Sequence, residues 1–338
     1  MWPYRRRALD DTELISARDR LLIRYDTGES AITGGAGNRR GAIDRQVLRQ
    51  IHVFERLHVL AYRAMVDVSR ELVQYVARSL HAERRARGTR KKTRALTCFY
   101  QALLVLIWFR KQEDLTLLGA GFGISRATAY RYRDEGIAVL AAQAQDLHTA
   151  LKRVAADGWS YVILDGKLFD CDRLTETTLS VKGNTIDAWF SGKHRDFGAN
   201  IQAIMRPDGL PIWTSVAMPG HLHDTSCARD LGVTAALNWS AAELDLPALA
   251  DSGYEGTGQG IKTPVKQPSD GKPLAVDNRS YNRLLRGLRW QGERGFAILV
   301  GRWKVLRHTT ISPRRIGDVV AAALHLTHFE YRYLTGSC

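Results

Sequence analysis

The four cysteines of this 338-residue chain, Cys98, Cys171, Cys227 and Cys338, lie far apart and form no CxxC pair. Neither a zinc ribbon nor a disulfide framework is therefore expected, and a reducing compartment fits best. Long apolar runs are also missing: the longest, Ala102 to Phe109, is about a third of a membrane span. Arg5, Arg6 and Arg7 open the chain with no apolar stretch behind them, so neither a secretion nor a membrane signal is expected. The glycines Gly34, Gly35, Gly37 and Gly41 lack the spacing of a phosphate-binding loop or a dinucleotide fingerprint, and no strand precedes them. His221, His223 and Asp224 make an HxHD string, but no second histidine cluster completes a zinc site.

Acidic residues are the minority charge. Lys and Arg number 49 against 35 Asp and Glu, a formal net charge of +14 with pI about 9.8. A polyanionic partner is expected, and nucleic acid is the commonest. With 45% hydrophobic and 25% charged residues, the chain can build a sizeable core and two domains.

Between Asp44 and Leu80, apolar residues recur at helical spacing (Leu57, Leu60, Ala64, Val68, Leu72, Val76, Leu80), which predicts amphipathic packing helices. Arg84 to Arg94 is strongly basic and reads either as a phosphate-contacting segment or as a solvated linker. A helical block follows. Ala95 to Phe109 is apolar enough to be a buried helix, Glu113 to Ala120 is a short second one, and Phe122-Gly123-Ile124 is a turn. Ser125 then caps a third helix, Arg126 to Ala138. Arg126, Thr128, Arg131, Tyr132 and Arg133 are expected on its exposed face, with Ala127, Tyr130 and Ile137 turned inward. A helix that enters a major groove needs donors on one face and apolar packing on the other.

The texture changes near Gly158. Tyr161-Val162-Ile163-Leu164 reads as a buried strand ending in Asp165-Gly166. Ala199 to Arg206 and Pro211 to Ala217 read as a hairpin across Pro207-Asp208-Gly209. Asp224 to Leu231 is helical in pattern, Leu246 to Ala250 is a second apolar run that ends in Asp251, and Arg283 to about Gly301 is a basic helix containing Glu293. This order predicts an α/β layer with a central sheet. Two strands ending in Asp and a helix offering Glu can gather three carboxylates at a sheet edge, an oxygen donor set suited to Mg²⁺ or Mn²⁺. Two such ions activate the attacking oxygen and stabilise the leaving one in phosphoryl transfer.

The runs GAGFGISRATAYRY (Gly119 to Tyr132), VILDGKL (Val162 to Leu168), FSGKHRDFGANIQ (Phe190 to Gln202), PGHLHD (Pro219 to Asp224), ADSGYEG (Ala250 to Gly256) and RGLRWQGERGF (Arg286 to Phe296) resemble a DDE-superfamily transposase. More narrowly, they resemble transposases of bacterial insertion sequences of the insertion-sequence-five group. The likeness runs in order from roughly Met65 to Tyr333.

It implies an N-terminal extension over 1–55, an all-α helix-turn-helix domain over 56–150 and a ribonuclease-H-like catalytic domain over 158–333. Asp165, Asp251 and Glu293 become the catalytic and metal-holding carboxylates, the three already singled out by position. Ser125, Arg126, Thr128, Arg131 and Arg133 become DNA contacts, joined by Lys193 and His194 in the loop before the hairpin. A basic residue usually follows the Glu by about seven positions; that place holds Val300, leaving Arg302 and Lys304 as candidates for the phosphate contact. His223 and Asp224 are expected to support the site. The resemblance implies a cytoplasmic, nucleoid-associated bacterial protein that binds terminal inverted repeats and target DNA as a dimer or larger assembly. A non-catalytic DNA-binding protein of the same fold and a stand-alone nuclease are the competing readings, and the intact triad argues against the first.

Overall fold

The computed structural model describes residues 66–90, 93–269 and 272–333. The expected extension over 1–55, its glycine-rich loop, most of the segment between Asp44 and Leu80, and Lys91 and Lys92 of the basic run lie outside the described residues.

Among the described residues five helices come first: α1 (Arg70–Ala86), α2 (Cys98–Lys111), α3 (Leu115–Gly121), α4 (Arg126–Ala141) and α5 (Leu147–Ala156). Each begins where a short polar side chain takes up an orphan N–H of the first turn. Ser69 accepts from the N–H of Leu72, Thr97 from Tyr100, Asp114 from Thr116 and Leu117, Ser125 from Thr128, and Asp146 from Thr149. α2 is buried almost all round, as its unbroken apolar sequence requires. It crosses α4 closely because Gly136 offers no side chain: a Cβ there would stand 2.5 Å from a Val105 methyl.

A mixed sheet follows: β1 (Val162–Asp170), β5 (Asp196–Met205), β6 (Pro211–Thr214), β8 (Ala248–Leu249) and β9 (Ile261–Lys262), with short strands β2 (Thr177–Leu179), β3 (Thr185–Asp187), β4 (Phe190–Ser191) and β7 (Met218–Pro219). The central order is β6-β5-β1-β8-β9. The pairs on the β6 side of β1 are antiparallel, and those on the β8 side are parallel. The expected hairpin is β5 and β6. Helices α6 (Asp224–Asp230) and α7 (Val233–Glu243) precede β8, and α8 (Val276–Arg302) and α9 (Ile316–Glu330) close the chain.

Strand alternation divides the core between the sheet faces. Val162, Leu164 and Ile204 pack with α5, α6 and α7; Ile163, Ala203 and Met205 pack with α8 and α9. α9 contacts both α4 and β6, so the helical block and the sheet share one continuous core. Among the described residues no helix is long and apolar enough to cross a membrane.

Candidate active site and nucleic-acid interface

β1 does not end at Asp165, as the sequence pattern suggests, but continues to Asp170. The antiparallel partner β5 accompanies it throughout, pairing Asp165 with Ala203. What ends near Asp165 is the other neighbour. β8 pairs in parallel through Val162↔Ala248 and Ile163↔Leu249 and then leaves the sheet. Two residues further along each strand stand Asp165 and Asp251, at matching positions and therefore on the same face. Asp251 opens the 3-10 turn Ser252–Tyr254, accepting from the N–H of Gly253 at 2.8 Å, and Asp165 accepts from the N–H of Gly166 at 3.1 Å.

The face carrying Ile163 and Asp165 is the one covered by α8. Gly292 and Gly295 let this helix lie directly on the sheet, since a Cβ at Gly292 would stand 2.9 Å from Ile163 and one at Gly295 would stand 2.6 Å from Met205. Each glycine costs a helix about 1 kcal/mol relative to alanine, which the close approach offsets. Glu293 sits between them on the flank of α8, exposed, one turn beyond Arg289.

The Asp165 carboxyl is pushed up to about 6: burial is the largest cause and Asp251 and Asp224 add to it, while Arg289 and the Gly166 N–H oppose the rise. The Nε of Arg289 is buried without a hydrogen-bond partner. Lys193 donates to Asp224 at 3.1 Å; its partial burial works against its charge, but Asp224, Asp251 and Asp165 outweigh this and make the amine more basic than usual.

The structure thus brings Asp165, Asp251, Asp224 and Lys193 into one electrostatic neighbourhood. Among the described residues, no three His, Cys, Asp or Glu side chains converge closely enough to hold an ion by themselves. The all-oxygen donors and the cost of charging Asp165 beside other carboxylates suit a hard divalent cation. His223 is exposed at the start of α6, and His221 Nδ1 lies 2.7 Å from the Ala188 carbonyl.

On the helical block, α3, its turn and α4 form the expected helix pair. Ser125, Arg126 and Arg131 are exposed at the start of α4, and Thr128 there bonds to both Ser125 and Arg131. Three expectations fail. Arg133 is only 6% exposed, paired with Asp134 and laid over the rings of Tyr130 and Trp108, so it supports the core and is closed to DNA. Tyr132 is buried and Ala127 exposed, because α4 is packed from two sides, by α2 and by α9, which rotates the inward face.

Arg302 is likewise engaged, bonded to Glu330 and to Asp67 (2.9 Å), so it ties chain segments together and is not free for phosphate. Lys304 is half-buried and makes no ion pair among the described residues; His194 is exposed beside Lys193. In the basic run, Arg84 and Arg94 turn inward to Gln101 and Glu135, while Arg85 and Arg90 are exposed.

Sequence reasoning missed the outer face of α8. Arg279, Arg283, Arg286 and Arg294 are exposed around Trp290, and none is ion-paired among the described residues. With Trp290 between Arg286 and Arg294, the spacing is three and four residues throughout, legible in the sequence, and already places them on one helical face.

The family model "helix-turn-helix of DDE superfamily endonuclease" matches residues 94–146, and "DDE superfamily endonuclease" matches residues 164–328. The chain belongs to the DDE superfamily of endonucleases. The first model coincides with α2 to α4, and the second spans the sheet, Asp165, Asp251 and Glu293. A probable transposase for insertion sequence element IS702 of Microchaete diplosiphon is 24% identical over 247 residues, covering 71% of this DDE endonuclease and 83% of the relative.

Two solved structures also match. A pre-cleavage Mos1 transpososome is 11% identical, over 70% of this chain and 79% of that one, with TM-score 0.17. A Mos1 transposase paired-end complex with left transposon end is 10% identical, over 87% and 86%, with TM-score 0.19. Scores this low carry no argument about fold. Endonucleases of this superfamily use divalent metal ions.

Proposed function

We propose that this DDE endonuclease is a transposase of the insertion-sequence-five group that binds the terminal inverted repeats of its element, cuts at their ends and joins them to target DNA. The observation that carries the catalytic half is the register of β1 against β8, which sets Asp165 beside Asp251 on the face overlaid by the helix of Glu293. The strand order β6-β5-β1-β8-β9, antiparallel on one side of β1 and parallel on the other, supports a ribonuclease-H-like catalytic domain over 158–333. The helix-turn-helix domain then takes 56–150.

Asp165, Asp251 and Glu293 would hold two divalent ions, Mg²⁺ or Mn²⁺, which supply activation of the attacking oxygen and charge neutralisation at the scissile phosphate. The chain's own groups do the rest. Ser125, Arg126, Thr128 and Arg131 present donors at the start of α4, where they meet phosphates and base edges. Lys193, coupled to Asp165 and Asp251 through Asp224, supplies a phosphate contact next to the acid pair, and His194, Lys304 and the outer arginines of α8 supply further phosphate contacts. His223 and Asp224 support the site from the start of α6. Strand joining requires two ends in one complex, so the working form on DNA is a dimer or larger, acting at the nucleoid of a bacterial cytoplasm.

The test is incubation of the protein with a labelled duplex carrying the flanking inverted repeat, with Mg²⁺, with Mn²⁺ and with chelator. Metal-dependent cleavage at the repeat end, absent in Asp251→Asn, is the expected result, followed by strand-transfer product that a stand-alone nuclease would not give. Tight binding without cleavage under either metal overturns the reading in favour of a non-catalytic DNA-binding protein.

A further inference from the structure

The sheet face opposite Asp165 carries a polar chain whose members Tyr254, Gln202 and Asn200 the catalytic reading leaves unused. The Tyr254 hydroxyl donates to Gln202 Oε1 at 2.6 Å, Gln202 Nε2 donates to Asn200 Oδ1 at 2.8 Å, and Asn200 Nδ2 donates to Asp224 Oδ1 at 2.7 Å. Lys193 closes the chain on Asp224 Oδ2 at 3.1 Å. Tyr254, Gln202 and Asn200 are 1%, 0% and 5% exposed, so the two bonds among them are made where water cannot replace them. The chain runs over Gly166, the residue after Asp165. A Cβ there would stand 2.6 Å from Asp224 Oδ1, 2.7 Å from Gln202 Nε2 and 2.9 Å from the Tyr254 hydroxyl.

Its two ends matter as much as its middle. Tyr254 belongs to the turn opened by Asp251, and its N–H bonds back to the Asp251 carbonyl at 3.1 Å. Thr225, next to Asp224, donates to the Gly253 carbonyl of the same turn. The β1–β8 ladder ends at Ile163↔Leu249, two residues before Asp251, and the Ala250 N–H, bonded to the Lys262 carbonyl of β9 at 2.9 Å, is the last sheet bond before that turn. The polar chain, anchored on β5, links that turn to the strand paired with β1.

We propose that Gln202, Asn200 and Tyr254 are positioning residues: their chain, seated on Gly166 and ending at Asp224 and Lys193, fixes the spacing between Asp165 and Asp251 needed to bind the divalent ion. The inference rests on the proposed function. Partners one step behind metal ligands commonly contribute about 10–100-fold to metal affinity by orienting those ligands.

The experiment is a Mn²⁺ titration of the full-length protein on an inverted-repeat duplex, following free Mn²⁺ by electron paramagnetic resonance, with DNA affinity and Tm measured alongside. Tyr254→Phe and Asn200→Ala are each expected to weaken Mn²⁺ binding about tenfold while leaving DNA affinity unchanged. Tyr254→Phe deletes one hydroxyl and keeps the ring, so it decides the matter even if Asn200→Ala fails to fold. Wild-type Mn²⁺ affinity in Tyr254→Phe with a lowered Tm would make the chain merely structural and overturn the inference. Asp251→Asn separates the two claims. Loss of Mn²⁺ there, but not in the network variants, defeats this inference alone; wild-type Mn²⁺ affinity in Asp251→Asn removes the acid pair as the ion site and defeats the functional reading too.

Discussion

The two functional regions are built in opposite ways. The start of α4 is assembled from neighbours in sequence: Ser125 caps, Thr128 bonds to the cap, Arg131 bonds to Thr128, and the donors point outward from one turn of helix. The acid pair is assembled from segments nearly ninety residues apart, which meet only because β1 and β8 lie parallel and α8 is smooth enough to cover them. A local site tolerates side-chain changes one at a time, whereas a convergent site depends on everything that fixes the convergence.

The largest expected effect breaks the convergent site chemically. Asp165→Asn and Asp251→Asn should each lower cleavage by about a thousandfold or more, since several kcal/mol of transition-state stabilisation act through these ligands. DNA affinity, measured by gel shift, should stay within about threefold, because binding depends mainly on charges elsewhere. Full cleavage in either variant would remove that residue from the site.

Gly166→Ala attacks the same region sterically. Its methyl has no space between Asp224, Gln202 and Tyr254, so a loss of about 1–3 kcal/mol in urea denaturation is expected, together with loss of cleavage. Unchanged stability would mean that the polar chain is loosely seated.

A third test addresses the seam where α9 joins the regions. Burial lowers the pKa of His325 and of His328 from 6.5 to about 4; for His328 the Pro211 carbonyl bond opposes the shift. Unfolded histidines take up protons below 6.5, and these two do so only near 4, so the native state holds its advantage above 6.5 and loses it as pH falls from 6.5 towards 4. At most roughly 3 kcal/mol per histidine is involved. The urea midpoint should drop steadily across that window, and a flat midpoint would show that neither ring is held neutral by burial.

The smallest effect sharpens the comparison within α4 itself. Arg131→Ala should weaken DNA binding and lower the slope of log affinity against log salt by about 0.9, the value for one phosphate contact. Arg133→Ala should leave that slope unchanged and lose about 1–2 kcal/mol of stability instead, through its stacking on Tyr130 and Trp108. The reverse pattern would exchange their roles.

Legibility follows the same division. The cap Ser125, the apolar run of α2 and the hairpin turn at Asp208-Gly209 act within a few residues, and the structure repeats them closely. The carboxylates Asp165 and Asp251 were legible because each follows a buried strand run. Arg133 and Arg302 were misassigned because charge in a sequence reads as exposure, and nothing local announces the Trp108 ring or the Glu330 and Asp67 carboxylates that enclose them. Nothing in the sequence around Asn200 and Gln202 marks their role; an amide inside a strand looks like any polar interruption until its partners arrive from Asp224 and Tyr254.

The sequence by itself determined the basic character of the chain, its helix starts, its strand runs and the residues able to hold a hard cation, since all of these are short-range properties of side chains and backbone. Tertiary structure alone decided which arginines remain outside, how far β1 continues past its carboxylate and what holds Asp251 in place. Each of those depends on contacts between residues distant in sequence: a ring stacked under a guanidinium, a strand leaving the sheet two residues early, a glycine with three polar atoms where a methyl would be.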